Sequence, residues 1–204
     1  MSKQTRPTPT KFRILEAARE LFNRRGATEV TTHDIAAACR ISPGNLYYHY
    51  ANKEEIIRAL FARSLEENVE FQKAQAASEA PPGEKRVRGL DFAKEISWRY
   101  RFFKRELPAL LARDPELAKS FRAFHRRHLA ELRRDIDEGV QLSGGQGLRP
   151  EESQWLAEVS WLMVLFWPSF VEVGGARSTR REMDRGIDLI SWLFDRVAGN
   201  ERAR

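Results

Sequence analysis

The residues best suited to a chemical role form one short polar and aromatic segment around Asn45. Its members are Ser42, Pro43, Gly44, Asn45, Tyr47, Tyr48 and His49. The Asn45 amide can pair bidentately with adenine in the major groove, which makes it the best base reader of the set. Tyrosine hydroxyls and a histidine imidazole are donors for phosphate oxygens, and the glycine lets a backbone approach closely. These residue types indicate contact with duplex DNA.

Two short helices are predicted to position this segment. Thr31 and Asp34 have the spacing of a capping box, which predicts a helix over 32–39. Ser42 followed by proline supplies the next N-cap and first helical residue, so a second helix is predicted over 43–48. Two short helices joined by a tight turn are typical of a helix-turn-helix unit, whose second helix enters the major groove.

The remainder of the sequence is predicted to be helical as well, with no period-2 strand pattern and no long repeat. The expected helices cover 11–25, 52–77, 84–105, a short turn beginning at Pro108, a long helix from 115, 150–170 and 179–197. The fold class is therefore all-α.

The segment Thr31-Thr32-x-Asp34-Ile35-Ala36, then Ile41-Ser42-x-Gly44-Asn45-Leu46-Tyr47-Tyr48-His49-Tyr50, then Asn52-Lys53-Glu54 resembles the DNA-binding signature of TetR-type transcriptional regulators. The resemblance covers about residues 12–57. It implies an all-helical homodimer with an N-terminal helix-turn-helix DNA-binding domain and a C-terminal helical ligand-binding and dimerisation domain.

The same resemblance assigns the DNA-binding residues. They are Thr32, His33, Ser42, Pro43, Gly44, Asn45, Tyr47, Tyr48, His49 and Lys53. His33 stands where the family often has a basic residue, and a neutral histidine makes a weaker contact. Tyr47 also fits a role in core packing. Tyr50 stands where the family usually has phenylalanine.

Four regions follow from these patterns. Residues 1–10 are expected to form a flexible arm and residues 11–57 the helix-turn-helix domain. Residues 58–198 are expected to form the C-terminal effector-binding and dimerisation domain, and 199–204 a polar tail. Lys3 and Arg6 of the arm could reach DNA, although a plain disordered tail fits equally well.

The last two helices are predicted to form the dimer interface. The segment 159–167 is apolar on every side, so one face can cover its own domain while the other needs a partner. Two such helices from each subunit can make a four-helix interface under twofold symmetry. The expected contributors are Trp155, Met163, Phe166, Phe170, Ile187, Ile190 and Phe194.

An effector pocket is expected between the helices over 84–105, from 115 and over 150–170. The expected lining residues are Trp98, Phe102, Phe121, Phe124, His125, His128, Trp161 and Leu165. Aromatic walls with a few polar groups suit a lipophilic or aromatic ligand, although ordinary core packing explains the same residues. Two histidines three positions apart could hold a metal, but no neighbouring cysteine or carboxylate pair completes a site. Neither a metal nor a cofactor is therefore expected.

Charge and composition restrict the class of protein. Thirty-five Lys and Arg against 29 Asp and Glu give a formal charge of +6, and eight basic against four acidic residues fall within 1–49. This excess is compatible with a polyanionic partner. Cys39 is the single cysteine, so an intramolecular disulfide and a multi-cysteine zinc site are excluded, and a small buried hydrophobe is expected there. The absence of a signal-peptide pattern and of an uncharged span of about 20 apolar residues predicts a cytoplasmic protein.

The sequence contains no G-x-S-x-G, Walker, G-x-G-x-x-G or H-E-x-x-H motif, so an enzyme is not expected. The prediction is a ligand-responsive repressor that binds a near-palindromic operator as a dimer and is released by a small lipophilic or aromatic effector. The alternative is a dimeric DNA-binding regulator without an effector. Loss of DNA binding on addition of a ligand would separate the two.

Overall fold

A computed structural model of the protein describes residues 9–142 and 147–197. Within these ranges the chain forms nine helices and no strand. They are α1 (Pro9–Arg25), α2 (Thr32–Cys39), α3 (Pro43–His49), α4 (Lys53–Ala77), α5 (Pro82–Arg99), α6 (Arg101–Arg113), α7 (Pro115–Leu142), α8 (Pro150–Val173) and α9 (Arg180–Val197). The all-α prediction is confirmed.

The chain divides into two compact units, residues 1–73 and 74–204. The division falls inside α4, beyond the predicted boundary between residues 57 and 58. Most of the predicted arm, residues 143–146 and the predicted tail over 199–204 lie outside the described residues. Pro9 and Thr10, which were assigned to the arm, belong to α1 instead.

The core of the first unit is built from the apolar stripes of α1, α2, α3 and α4. Its fully enclosed side chains are Ile14, Phe22, Val30, Ile35, Leu46, Ile56 and Leu60. Gly26 ends α1 with a left-handed φ of 92°, and its N–H donates to the Phe22 carbonyl at 2.9 Å. Cys39 is buried among these helices, as predicted, and burial raises the pKa of its thiol.

The second unit is organised around α8, which packs against α6, α7 and α9. By length and composition α8 could cross a membrane, but one face of the helix packs in the core of this unit. Its buried residues are Ser153, Leu156, Ala157, Ser160, Trp161, Leu165, Pro168 and Val171. A single apolar helix packed in this way is typical of the central helix of a globular domain.

The predicted helix over 84–105 is wrong, because the structure breaks it at Tyr100. The backbone there has φ −113° and ψ 32°, and the Tyr100 side chain is buried. The break lets α6 bury four apolar side chains, whereas α5 buries only Ser97. The predicted short turn at Pro108 is also wrong, since Pro108 lies inside α6 on an exposed position.

Candidate functional site

A capping box fixes the start of α2. The Thr31 N–H and hydroxyl donate to the Asp34 carboxylate at 2.8 and 2.7 Å, and the Asp34 N–H donates back to the Thr31 hydroxyl at 3.1 Å. An Arg25 guanidinium from α1 donates to the same carboxylate at 3.1 Å. The hydrogen bonds from Thr31, followed by that from Arg25, lower the pKa of Asp34 from 3.8 to about 2. The end of α1 is thereby tied to the start of α2.

The turn between α2 and α3 is tight because Arg40 adopts a left-handed conformation. Its φ is 55°, and its N–H donates to the Ala36 and Ala37 carbonyls that end α2. Ser42 then caps α3 by accepting the Asn45 N–H at 3.2 Å, with Pro43 in the first turn. Both predicted caps are present, and α2 and α3 form the expected helix-turn-helix pair.

The exposed surface of α3 carries most of the predicted DNA-contact side chains. Leu46 is enclosed, and it anchors the helix to the core. Tyr48 is 85% exposed, and its ring stands edge-on to half-buried His49 with centroids 5.1 Å apart. The remaining predicted residues on this surface are also exposed, and they are Ser42, Pro43, Gly44, Asn45 and Tyr47. The helix therefore presents polar and aromatic groups without competing salt bridges among them.

A hydrogen bond joins the start of α2 to α3. The Thr32 and Tyr47 hydroxyls lie 2.9 Å apart, and either can donate to the other. Tyr47 is 47% exposed, so it is not a core residue. His33 lies exposed beside Thr32 on the same turn of α2. These side chains form a continuous surface with α3 on which one hydroxyl pair fixes the mutual orientation of the two helices.

Lys53 is placed differently from the predicted phosphate contact. Its ammonium donates to three carbonyls of the loop between α1 and α2: Ala27 at 2.6 Å, Val30 at 2.8 Å and Thr28 at 3.2 Å. An ammonium has three N–H donors, so all of them are used inside the protein. Lys53 therefore holds the loop against the start of α4. The sequence pattern at a helix start did not distinguish this arrangement from an outward-pointing cation.

In the second unit, five of the eight predicted pocket residues meet in an aromatic cluster. Its members are Phe121, Phe124, His125 and His128 of α7 and Trp161 of α8. The Trp161 indole N–H donates to His125 Nδ1 at 2.7 Å. Burial, with a smaller contribution from neighbouring positive groups, lowers the pKa of His128 to about 4. Within the described ranges no group of three or more His, Cys, Asp or Glu residues is arranged to hold a metal.

Two of the other three predicted pocket residues contact neighbours on α6. Trp98 lies under the Arg101 guanidinium, 3.9 Å from the ring centroid, while Phe102 packs edge-on to Phe103 with centroids 5.4 Å apart. Leu165 is buried in α8.

A cavity of about 10 Å³ lies nearby, and none of the eight predicted residues lines it. Its walls are Ser97, Lys104, Met163, Val164, Trp167, Pro168, Met183, Gly186 and Ile187. Lys104 is a cavity-lining residue that the sequence prediction did not include. The available signal was a lysine in the midst of the apolar stripe of α6.

The predicted interface residues are split between two faces of the second unit. Trp155, Phe166 and Phe170 are exposed on α8. Ile190 is half-buried. Met163 lines the cavity and Ile187 is buried there, so neither side chain lies on the outer face.

Phe194 packs inward against the cluster of Ile136, Leu156 and Ala157. The Arg86 guanidinium covers its ring at 4.7 Å. The predicted interface set does not include five exposed apolar residues of α8 and α9, which are Val159, Leu162, Val173, Trp192 and Val197.

Comparison with known proteins agrees with both units. The family profile of bacterial regulatory proteins of the tetR family matches residues 14–60, and the TetR profile of bacterial transcriptional repressors matches residues 62–196. The HTH-type transcriptional regulator UidR of Escherichia coli K12 is 43% identical over 63 residues, which are 31% of this chain and 32% of UidR. The regulator TtgR of Pseudomonas putida is 39% identical over 51 residues, 25% of this chain and 24% of TtgR. The chain thus matches a third or less of the length of these curated relatives.

A solved structure extends the likeness over nearly the whole chain. The TetR-family transcriptional regulator from Marinobacter aquaeolei VT8 is 30% identical and superposes with a TM-score of 0.79. That match covers 93% of this chain and 91% of the other. The two profiles, the shared helix-turn-helix sequence and this superposition show that the chain belongs to the TetR family of DNA-binding transcriptional regulators.

Proposed function

We propose that the protein is a ligand-responsive repressor that binds a near-palindromic operator as a homodimer and releases it when an effector binds the second unit. The observation that carries the DNA-binding half is the outward surface of α3, where Tyr48 is 85% exposed on a helix capped at its start by Ser42. An exposed recognition helix on a fixed scaffold is what major-groove readout requires.

The contacts divide by chemistry. Asn45 reads a base edge through its amide, and Gly44 lets the α3 backbone approach the groove, because it has no side chain on the exposed surface of the helix. Phosphate contacts come from the hydroxyl and imidazole groups of this surface: Thr32, His33, Ser42, Tyr47, Tyr48 and His49. Pro43 has no N–H donor and contributes only its exposed ring beside them. Lys53 acts indirectly, by positioning the loop that supports α2.

The dimer forms through the outer face of α8. Exposed apolar residues recur along it at intervals of three and four, which places them on one side of the helix. They are Trp155, Val159, Leu162, Phe166, Phe170 and Val173, and Trp192 of α9 is exposed as well. A contiguous apolar surface of this kind on a cytoplasmic regulator is typical of a subunit interface. Phe170→Glu should yield monomers, while Glu172→Gln on the same turn should stay dimeric; a dimeric Phe170→Glu protein in sedimentation would contradict the assignment.

The DNA-binding half is tested by selecting random duplex DNA with the purified full chain and sequencing what is retained. We expect a twofold-symmetric consensus with half-sites about 34–36 Å apart. Asn45→Ala should relax the preference at one base position per half-site, at a cost of about 1–3 kcal/mol, while Tyr48→Ala should weaken all sequences alike. An unchanged consensus with Asn45→Ala would refute the docking of α3.

The effector half is tested with the selected operator as a probe. Release of the operator by a small molecule that also binds the isolated protein supports the ligand-responsive function. If the protein binds the operator and no molecule that it binds changes that affinity, the alternative of a dimeric regulator without an effector is correct. The second unit would then serve only dimerisation.

A further inference from the structure

A lysine lies in the interior of the second unit without a carboxylate to balance it. Lys104 of α6 donates to the Ser97 hydroxyl at 2.5 Å, and no ion pair among the described residues includes it. The residue is only partly buried as a whole, but its ammonium is enclosed, and desolvation lowers the pKa of Lys104 to about 7. Such a group is costly to keep in the interior unless an anion joins it.

Apart from Ser97, the other side chains that line the cavity beside this ammonium are mainly apolar. Met163, Val164 and Trp167 of α8 and Met183 and Ile187 of α9 form its walls, and Lys104 is the only cation among its lining residues. The charge of Lys104 contributes, after burial, to lowering the pKa of His128 to about 4, so His128 is neutral at neutral pH. The cavity volume of about 10 Å³ is enough for one water molecule. A larger ligand must therefore open it.

The helices that form the cavity walls contain prolines at which they can bend. Pro108 has no N–H, so the Lys104 carbonyl lacks its normal helical donor, and Pro168 leaves the Val164 carbonyl in the same condition. Both affected residues line the cavity. Helices bend most readily at such positions, and the two methionines of the walls adapt their shape easily.

Helix α5, which covers Lys104 through Ser97, is joined to α9 in part by ion pairs. Lys94 pairs with Asp188 at 2.5 Å, and Glu95 pairs with Arg180 at 3.0 Å. Ser97 is the only buried residue of α5. Ion pairs of this kind contribute little to stability, so their loss adds little to the cost of an outward movement of α5.

We propose that the effector is a carboxylate with an apolar body, whose carboxylate pairs with Lys104 and displaces or shares its bond to Ser97 while the body enlarges the cavity between α6, α8 and α9. This inference rests on the proposed function, in which the second unit binds an effector. A carboxylate gives the ammonium a charge-assisted hydrogen bond and removes the cost of an unbalanced interior charge. A neutral ligand of the same shape gains neither.

The test measures binding of four probes to the full chain by calorimetry: octanoate and benzoate, each compared with its own amide. We expect at least one acid to bind at least about tenfold more tightly than its amide, as a charged hydrogen bond requires. Octanoate binding indicates a chain-shaped body and benzoate binding a flat ring. Lys104→Met should reduce the ratio of acid to amide affinity to about one, and Lys119→Met, an exposed lysine of α7, should leave it unchanged. Circular dichroism verifies that both variants are folded.

The inference is overturned if neither acid binds, if acid and amide bind alike, or if Lys104→Met keeps the preference for the acid. Failure of the proposed function looks different. If the chain binds its operator and a neutral compound releases it, the repressor function stands and the carboxylate assignment is wrong. If no operator is found or no bound molecule releases it, the repressor function fails even where Lys104 proves to hold an acid.

Discussion

Replacing Lys53 by methionine separates a positioning role from a phosphate contact. The substitution keeps the aliphatic stem and removes the ammonium that joins the Ala27, Thr28 and Val30 carbonyls at 2.6, 3.2 and 2.8 Å. A hydrogen bond from a charged donor contributes about 1.5–3 kcal/mol, but water can reach an exposed carbonyl such as that of Thr28. We therefore expect the local free energy of opening to fall by about 2–3 kcal/mol for the whole set.

Hydrogen exchange of the amides in the loop between α1 and α2 measures this loss. A decrease of about 2–3 kcal/mol predicts exchange that is about 30- to 150-fold faster. Operator affinity is then measured against salt concentration. Each phosphate contact contributes about 0.9 to the slope of log affinity against log salt, so a positioning residue leaves that slope unchanged.

Arg24→Met is the matched control, because it removes an exposed positive charge from the last turn of α1. It should leave the exchange of the loop amides unchanged. The reasoning is refuted if Lys53→Met leaves exchange unaltered and lowers the slope by about 0.9 per subunit, since Lys53 would then be a phosphate contact.

Three further changes test other parts of the molecule. Thr31→Ala removes the N-cap of α2 and should lower the free energy of unfolding, measured by urea denaturation, by about 1 kcal/mol. The pKa of Asp34 is lowered to about 2, so the stabilisation from its ionised form is present above its ordinary pKa of 3.8 and is lost as pH falls through about 2. The difference in free energy of unfolding between variant and wild type should therefore shrink at that pH. Gly186→Ala would place a Cβ 2.7 Å from the Trp167 ring, and we expect a loss of about 1–3 kcal/mol with a changed tryptophan emission. Lys104→Met should stabilise the chain by about 1–4 kcal/mol below pH 7. This gain in stability should fade as pH rises from the lowered pKa of about 7 toward the ordinary pKa of 10.5, because the wild-type interior no longer holds a charge there. Equal stability of both proteins at pH 6 would contradict the burial of that charge.

The helix-turn-helix unit could be predicted closely because its signals are local. Thr31 with Asp34 and Ser42 with the following proline fix helix starts through bonds within four residues, and both starts are correct. The internal partners of Lys53 could not be predicted, because they lie more than twenty residues earlier and no local pattern records them. Local sequence gives the positions of helix ends, whereas the direction of a long side chain depends on the tertiary packing.

The second unit was less predictable for the same reason. The break at Tyr100 follows from burial of its side chain, and a continuous helical pattern across that residue contains no capping signal. The aromatic residues of α7 meet Trp161 as expected, and the cavity beside Lys104 is lined by other residues. Aromatic residues in a sequence indicate where side chains pack densely. A cavity forms where packing is locally incomplete, and composition does not predict that position.

Two sides of helix α8 have different environments, although their residues lie within about one turn of each other. Val164 and Trp167 line the cavity, while Leu162 and Phe166 are exposed on the outer face. A single helix thus connects the interior to the surface at which a second subunit is proposed to bind. If a molecule that displaces the inner side changes the free energy of association on the outer side, then by reciprocity association changes the affinity for that molecule by the same factor. The measured affinity for a ligand of the second unit should therefore depend on protein concentration across the range in which subunits associate.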